Sequence, residues 1–429
     1  MDTQSHKIQL CFRQNTSYQK AVNRLAAMTP GVGSVAPIAP DARRVAFSGP
    51  ITPDSTPSSM KRRLAPFLST RPLPEWWGPL FEASGSDSVF LSPAWIATWI
   101  AIYGADFTGS WVHWEVDGRV VAGCLLVERV LRVKGMPFRS QFLNATGKAH
   151  TATPLAEFND VLHLAGHGDT VARDFAQLLR ERAWGRLLLS GHEHDSVVGR
   201  ALAMVGGVQT EQRMQPSPFV DLRALEDRPF ESTVTGKSGT RLRRNRRDYE
   251  LRLGEIGVRR AADLAEALRF FEQLRELHLA RWTDLDKSTS LAADAVVDFH
   301  QRLIRALFAG GAVDLLRIGT PERPVGFLYN FVVRGKVSMF QSGFDYAPSG
   351  RRSPGLLTHA LAIEHYRQRG LREYDFLSGD AQYKRTLCNG ERELMWTTIY
   401  RDRPWIRLLL AVRRLRARMN RAIELPQAA

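Results

Sequence analysis

Cysteine is scarce: Cys11, Cys124 and Cys388 are three in 429 residues, far apart and odd in number. No C-x-x-C pair exists, which excludes a disulfide scaffold and a structural zinc site and suits a reducing compartment. Long apolar runs are also missing. The longest uncharged stretch, Ser88 to Ala105, is broken by Pro93 and small polar residues. It predicts a loop and a short buried helix rather than a membrane span. The N-terminus carries Asp2, His6, Lys7 and Arg13, a poor secretory signal. Several catalytic signatures fail as well. Gly236-Lys237-Ser238 imitates the end of a P-loop, but Glu231 stands where the first glycine belongs. The G-x-S-x-G elbow is missing around Ser190. His163, His167, His192 and His194 lack metallohydrolase spacing, so no metal is expected.

Negative charge is in deficit. Fifty-nine Lys+Arg against 44 Asp+Glu leave a formal charge of +15, which favours anionic partners: nucleic acid, nucleotide phosphates, acidic polymers or anionic membrane. A hydrophobic share of 44% and a charged share of 24% exclude wholesale disorder, and the length suits two to three domains. Aromatics are sparse in the first seventy residues, where eight of the 22 prolines lie between Pro30 and Pro72. That composition predicts a disordered or linker-like tail over residues 1–72. Met28 and Met60 offer alternative starts.

Folded sequence is expected from Leu73. Ser92-Pro93 reads as an N-cap with proline at the first helical position, opening a helix from Ala94 to Tyr103. Strands are predicted at Trp111–Val116 and Arg119–Val133 about an Asp117-Gly118 turn. A helix follows at Asp169–Ala183, then short strands at Arg186–Ser190 and Phe219–Leu222. The second half repeats the theme. Helices are predicted at Leu264–Trp282 and Ala292–Phe308, then strands at Ala312–Ile318, Val325–Val333 and Lys336–Phe344. A helix from Gly355 to Arg369 and strands at Glu373–Leu377 and Leu394–Arg401 complete it. Both halves read as copies of one α/β module, at 73–230 and 231–401, with a basic amphipathic tail at 402–429.

Two segments carry chemistry. In F-Q-S-G-F-D-Y-A-P-S-G-R-R-S-P-G, Phe340 to Gly355, a strand ends, a loop rich in Gly, Ser and Arg follows, and a helix starts. Free N–H groups and the helix dipole suit a phosphate there, with charge from Arg351 and Arg352; an ordinary capped helix with a basic loop is the bland alternative. In Y-D-F-L-S-G-D-A-Q-Y-K, Tyr374 to Lys384, Asp375 lies in a strand and Tyr383 and Lys384 in the following loop. An acid, a phenol and an ammonium at a strand's carboxyl end can position or protonate a substrate, or form a salt-bridged strand end.

These motifs carry a resemblance. R-L-R-R-N-R-R-D-Y-E-L (Arg241 to Leu251), A-R-W (Ala280 to Trp282), Q-S-G-F-D (Gln341 to Asp345), R-S-P-G-L-L (Arg352 to Leu357) and Y-D-F-L-S-G-D-A-Q-Y-K-R (Tyr374 to Arg385) occur in order. From Lys237 to Arg401 the chain thus resembles the cellulose-biosynthesis-type (CelD/BcsL-like) acyltransferases of the GNAT superfamily, which are akin to FemAB-type aminoacyl ligases. The resemblance implies an α/β (α+β) fold: a GNAT-like mixed sheet flanked by helices, in two tandem modules. It also implies acetyl-CoA or another acyl-CoA as donor. Arg352, Ser353, Gly355 and Leu356 then form the pyrophosphate turn, which departs from the family at Leu357, where Gly or Ala is usual. Gln341 and Ser342 line the pantetheine. Lys384 stabilises charge, Tyr383 is an acid toward the thiolate, and Asp375 orients. His278 and His359 are conceivable bases, but each sits within a helix, where a lone histidine reads as a packing residue.

The acceptor implied is a sugar, a polysaccharide precursor or an amine, in cytoplasmic polysaccharide or cell-envelope biosynthesis. The tail, with eight arginines from Arg401 to Arg421 among Trp405, Leu408 and Leu415, suits either peripheral contact with anionic membrane at the inner face or packing on the core. Two other readings stay open: an aminoacyl-tRNA-dependent ligase using the basic surface, and a non-catalytic partner in exopolysaccharide assembly.

Overall fold

The computed structural model describes residues 60–133, 136–149, 151–285, 287–346 and 353–413. In chain order the first half holds β1 (Lys61–Pro66), α1 (Trp77–Ser84), α2 (Pro93–Tyr103), β2 (Thr108–Val116), β3 (Arg119–Val133) and β4 (Met136–Leu143). It continues with β5 (Leu162–His163), α3 (Gly168–Glu181), β6 (Arg186–His192), α4 (Val197–Met204) and β7 (Val208–Asp221). The second half opens with α5 (Phe230–Thr233), α6 (Gly236–Leu253), β8 (Gly257–Arg260), α7 (Leu264–Asp284) and α8 (Asp294–Leu307). Then come β9 (Val313–Gly319), β10 (Pro324–Val333), β11 (Lys336–Phe344), α9 (Pro354–Gln368), β12 (Glu373–Asp375), α10 (Gln382–Leu387) and β13 (Gly390–Arg401). Residues 404–413 form a last helix, α11.

The strands make one mixed sheet in the order β1-β2-β3-β4-β6-β13-β7-β12-β11-β10-β9-β8, with β5 beside β3. Each half has the same plan. Three antiparallel strands (β2-β3-β4, β9-β10-β11) are followed by a helix and a strand parallel to the third, β6 on β4 and β12 on β11. The last strands are exchanged. β7 of the first half pairs with β12, and β13 of the second pairs with β6, so the halves share one sheet.

Local chemistry explains the elements. Ser92 Oγ accepts from Trp95 N at 3.2 Å and Pro93 opens α2. Asp263 caps α7, accepting from Glu266 N at 2.7 Å while Glu266 accepts from Ala262 N at 2.9 Å. Asp117-Gly118 (φ 50° and 75°) and Arg334-Gly335 (φ 49° and 78°) make the tight hairpin turns. α1, α2, α7 and α8 share one apolar layer, where Trp95 meets Phe299 edge-on at 4.9 Å. α3 and α4 cover the other face of the first half, and α9 that of the second.

Two expectations change. Strand structure is already present at Lys61, ahead of Leu73: β1 lies within the expected tail and pairs with β2. It is an edge strand, mostly exposed, so its composition carries no core signal; Arg62 fastens it to Asp174 at 3.0 Å and Glu181 at 2.5 Å. Tyr383 and Lys384 lie on the short helix α10 rather than in a loop, because Leu387 packs inward. The basic stretch from Lys237 is the helix α6, held by its buried Leu242, Asn245 and Tyr249. Most of the tail beyond Arg413, and residues 1–59, lie outside the described residues.

Candidate functional site

The site begins where two parallel strands separate. β12 pairs with β11 only over Lys336–Ser338. Beyond Asp375 the chain turns away: Leu377 has φ 58° and Gly379 φ 120°, while Phe376 N and Gly379 N donate to Pro218 O (3.1 Å) and Pro216 O (2.9 Å) of β7. β11 stays on β10, with Asp345 N donating to Val325 O at 3.0 Å, and carries a bulge at Phe340. From Met339 onward its other edge has no strand partner among the described residues.

Side chains occupy that edge. Ser342 N donates to Gln341 Oε1 at 3.1 Å, and Ser342 O accepts from His278 Nδ1 of α7 at 3.1 Å. Because a carbonyl can only accept, Nδ1 carries the proton. His278 Nε2 therefore accepts from Thr289 Oγ1 at 2.9 Å. Burial holds the His278 pKa below the ordinary imidazole value. α7 can approach so closely because residue 343 is glycine: a Cβ there would lie 2.3 Å from Leu274 O.

At the end of β11 stands the N-terminus of α9. Ser353 caps it, Oγ accepting from Leu356 N at 3.4 Å, and Pro354 follows. Asn245 of α6 grips the Ser353 main chain twice, donating to its O at 2.9 Å and accepting from its N at 3.0 Å. Gly355 lies against the Phe344 ring, which a Cβ would meet at 3.1 Å. Leu356 and Leu357 point into the core, so only the main chain of Leu356 could serve an anion. Arg352, expected in the same turn, lies outside the described residues.

Across the gap, Tyr383 stacks on His359 of α9 (4.6 Å, 3°), and His359 meets Phe344 edge-on at 5.7 Å. Ring contacts thus connect α10 to the open end of β11. Burial pushes the Tyr383 phenol well up, so it stays protonated, and holds His359 neutral with a pKa lowered to about 3. His359 Nδ1 bonds Tyr374 OH at 3.0 Å.

Lys384 organises the turn after β12. Its Nζ donates to Phe376 O (2.9 Å), Leu377 O (3.1 Å) and Ser378 O (2.7 Å), which uses all three protons. Burial lowers its pKa to about 8, against the opposing fields of Glu157 and Asp375. Glu157 comes from the first half and accepts from Ser378 N at 2.7 Å and Ser378 Oγ at 2.5 Å; burial raises its pKa. Asp375 accepts from Leu377 N at 2.7 Å and Ser217 Oγ at 3.3 Å, and pairs with Lys336 Nζ at 3.1 Å. It is tied on every side and orients the turn.

The structure thus gathers Gln341, Ser342, Ser353, Gly355 and Tyr383 about the open edge of β11. Lys384 and Asp375 hold the turn that creates the opening. Sequence reasoning missed Asn245, Glu157 and Lys336. Asn245 had a signal, a lone amide inside a run of arginines; the other two had none. Among the described residues no group of three or more His, Cys, Asp or Glu is placed to hold a metal, and no helix is long and apolar enough to cross a membrane.

Residues 236–385 match the family described as "Acetyltransferase (GNAT) domain", so this stretch carries a GNAT acetyltransferase domain. No curated protein matches the sequence. Similar solved structures include FemX, at 9% identity and a TM-score of 0.49, covering 75% of this chain and 94% of that one. The C-terminal domain of a putative lysylphosphatidylglycerol synthetase from Agrobacterium fabrum has 11% identity and a TM-score of 0.47, covering 78% and 94%. A tandem GNAT protein from the clavulanic acid biosynthesis pathway has 12% identity and a TM-score of 0.41, covering 79% and 98%.

Proposed function

We propose that the chain is an acyl-CoA-dependent acyltransferase that passes an acetyl or longer acyl group to an amine or hydroxyl. The observation that carries this reading is the edge of β11 beside the N-terminus of α9, which from Met339 onward has no strand partner among the described residues, inside the segment matching the GNAT domain. An extended chain of amides can pair with such an edge, and a helix N-terminus attracts phosphate. In this reading Gln341 and Ser342 line the pantetheine, and Arg352, Ser353, Gly355 and the Leu356 main chain hold the pyrophosphate. The protonated Tyr383 supplies a proton to the departing thiolate. Lys384 and Asp375 act at one remove, by holding the turn at residues 376–379. The resemblance to cellulose-biosynthesis-type acyltransferases points to a sugar or polysaccharide precursor as acceptor, in the cytoplasm or at the inner membrane face.

One observation favours a second reading, an aminoacyl-tRNA-dependent ligase. Lys237, Arg241, Arg243 and Arg244 of α6 line an open depression of about 600 Å³, and none of them has an ion pair among the described residues. Such a row fits a polyanion.

Calorimetric titration of the full chain with acetyl-CoA and longer acyl-CoAs tests the first reading, with Arg352→Ala and Gly355→Trp beside it. Micromolar binding that both variants lose supports it. No binding of any acyl-CoA overturns it, and charged tRNA titrated across a salt series then tests the second.

A further inference from the structure

His278 and Thr289 form a hydrogen-bonded series that ends on the open edge of β11. Three groups lie in series: the Ser342 carbonyl on the open edge, the His278 imidazole, and the Thr289 hydroxyl. The carbonyl fixes the proton on Nδ1, so the Nε2 lone pair faces the hydroxyl at 2.9 Å. This is the order of an activated hydroxyl: a third group orients the base, and the base takes the hydroxyl's proton. Trp282 flanks the ring at 5.6 Å and 31°. His278 itself is buried, while Thr289 is only half-buried. Thr289 also accepts from Leu291 N, capping the turn Ser290–Ala292, but at 3.4 Å that contact is long and leaves an oxygen lone pair available.

Position adds the second argument. α7 packs on one face of the second half's strands, and α9 on the opposite face. His278 reaches the open edge from the α7 side. Tyr383 reaches the end of β11 from the α9 side, through His359 and Phe344. A proton acceptor and a proton donor thus flank the same opening from its two faces.

We infer that Thr289 and His278 together form the acceptor-side proton relay of the transfer reaction, Thr289 touching the acceptor and His278 acting as base through it. This rests on the acyltransferase reading above. The acceptor's N–H or O–H proton passes to Thr289 Oγ1 as the threonine's own proton passes to His278 Nε2. The acceptor heteroatom bonds to the acyl carbon, and the bond to the leaving group breaks. With a thioester, Tyr383 protonates the thiolate, and the proton on His278 restores Tyr383 through solvent. The acceptor's proton thus ends on the thiol.

The test uses the full chain and the variants His278→Gln, Thr289→Val and Thr289→Ser. Glutamine places a polar amide near the position of Nε2 but offers no base; serine keeps the hydroxyl. Turnover is read with two donors: acetyl-CoA with hydroxylamine or glucosamine as acceptor, followed by thiol release, and p-nitrophenyl acetate, which needs no CoA site. His278→Gln is expected to lower kcat by about 100-fold and Thr289→Val by at least about 10-fold. Thr289→Ser returns to within about threefold of the parent, and the KM for acetyl-CoA stays within about threefold throughout. His278-dependent turnover of p-nitrophenyl acetate alone supports the relay while removing the acyl-CoA reading. The inference is overturned if His278→Gln keeps its kcat, if Thr289→Ser is as impaired as Thr289→Val, if only KM moves, or if the parent turns over neither donor.

Discussion

Replacing Lys384 by Met tests what holds the site open. The ammonium donates to three main-chain carbonyls at 2.7–3.1 Å, and no other described group bonds them. Hydrogen bonds from a charged donor contribute about 1.5 kcal/mol or more each, so three amount to at least about 4.5 kcal/mol. Against this stands the cost of burying the charge. A pKa lowered from 10.5 to about 8 corresponds to about 3 kcal/mol at 1.36 kcal/mol per unit. Methionine removes that cost but strands the carbonyls. The expected net loss is about 1.5–6 kcal/mol, read by urea unfolding at pH 7. The sign of the pH dependence follows from the same shift. Between about pH 8 and 10.5 the unfolded lysine holds its proton and the folded one does not, so the parent's stability rises with pH there. Lys384→Met lacks this gain, so the gap between the two proteins should widen by up to about 3 kcal/mol across that interval. A variant as stable as the parent, with a gap that stays flat in pH, would refute the assignment of Lys384 as organiser of the turn.

Other outcomes follow from the same geometry. Asn245→Ala removes both bonds to the Ser353 main chain; it should cost about 1–3 kcal/mol in unfolding free energy and weaken acetyl-CoA roughly tenfold by calorimetry. Gly343→Ala puts a Cβ 2.3 Å from Leu274 O and forces α7 off the sheet, a loss of about 1–3 kcal/mol visible in thermal unfolding. Gln341→Ala frees Ser342 N–H from its neighbour's side chain. If pantetheine pairs with that edge, acyl-CoA should bind about 2- to 10-fold tighter, because a competing bond of about 0.5–1.5 kcal/mol is gone; unchanged or weaker binding means that it does not.

Much of the fold was legible along the chain because it is coded locally. The amphipathic spacing of Leu264, Leu268 and Phe271, the cap at Ser92-Pro93 and the turn at Asp117-Gly118 each act within a few residues, and the elements formed there. Elements that draw stability from distant partners were harder to read. β1 is polar and exposed, and only pairing with β2 makes it a strand. β7 and β13 are exchanged between halves, and nothing within either strand encodes its neighbour. The motifs offer Gln341, Ser342, Ser353, Gly355, Asp375, Tyr383 and Lys384 as candidates, but what each can do depends on distance and burial. Lys384 spends its protons on carbonyls, and Asp375 is locked by Ser217, Leu377 and Lys336.

Residue types and local punctuation are written along the chain: a strand, a capped helix behind Ser353-Pro354-Gly355, and a Tyr-Lys pair after a short strand. These follow from backbone preference and side-chain period, which act over one or two turns of chain. The parting of β11 and β12 after three residue pairs is set by long-range packing, since it depends on β7, β10 and Glu157 holding the two strands on separate courses. Long-range packing also brings His278, 64 residues from Ser342 in sequence, onto the open edge. A hydrogen bond between groups so far apart needs the whole sheet in place before either group can meet the other.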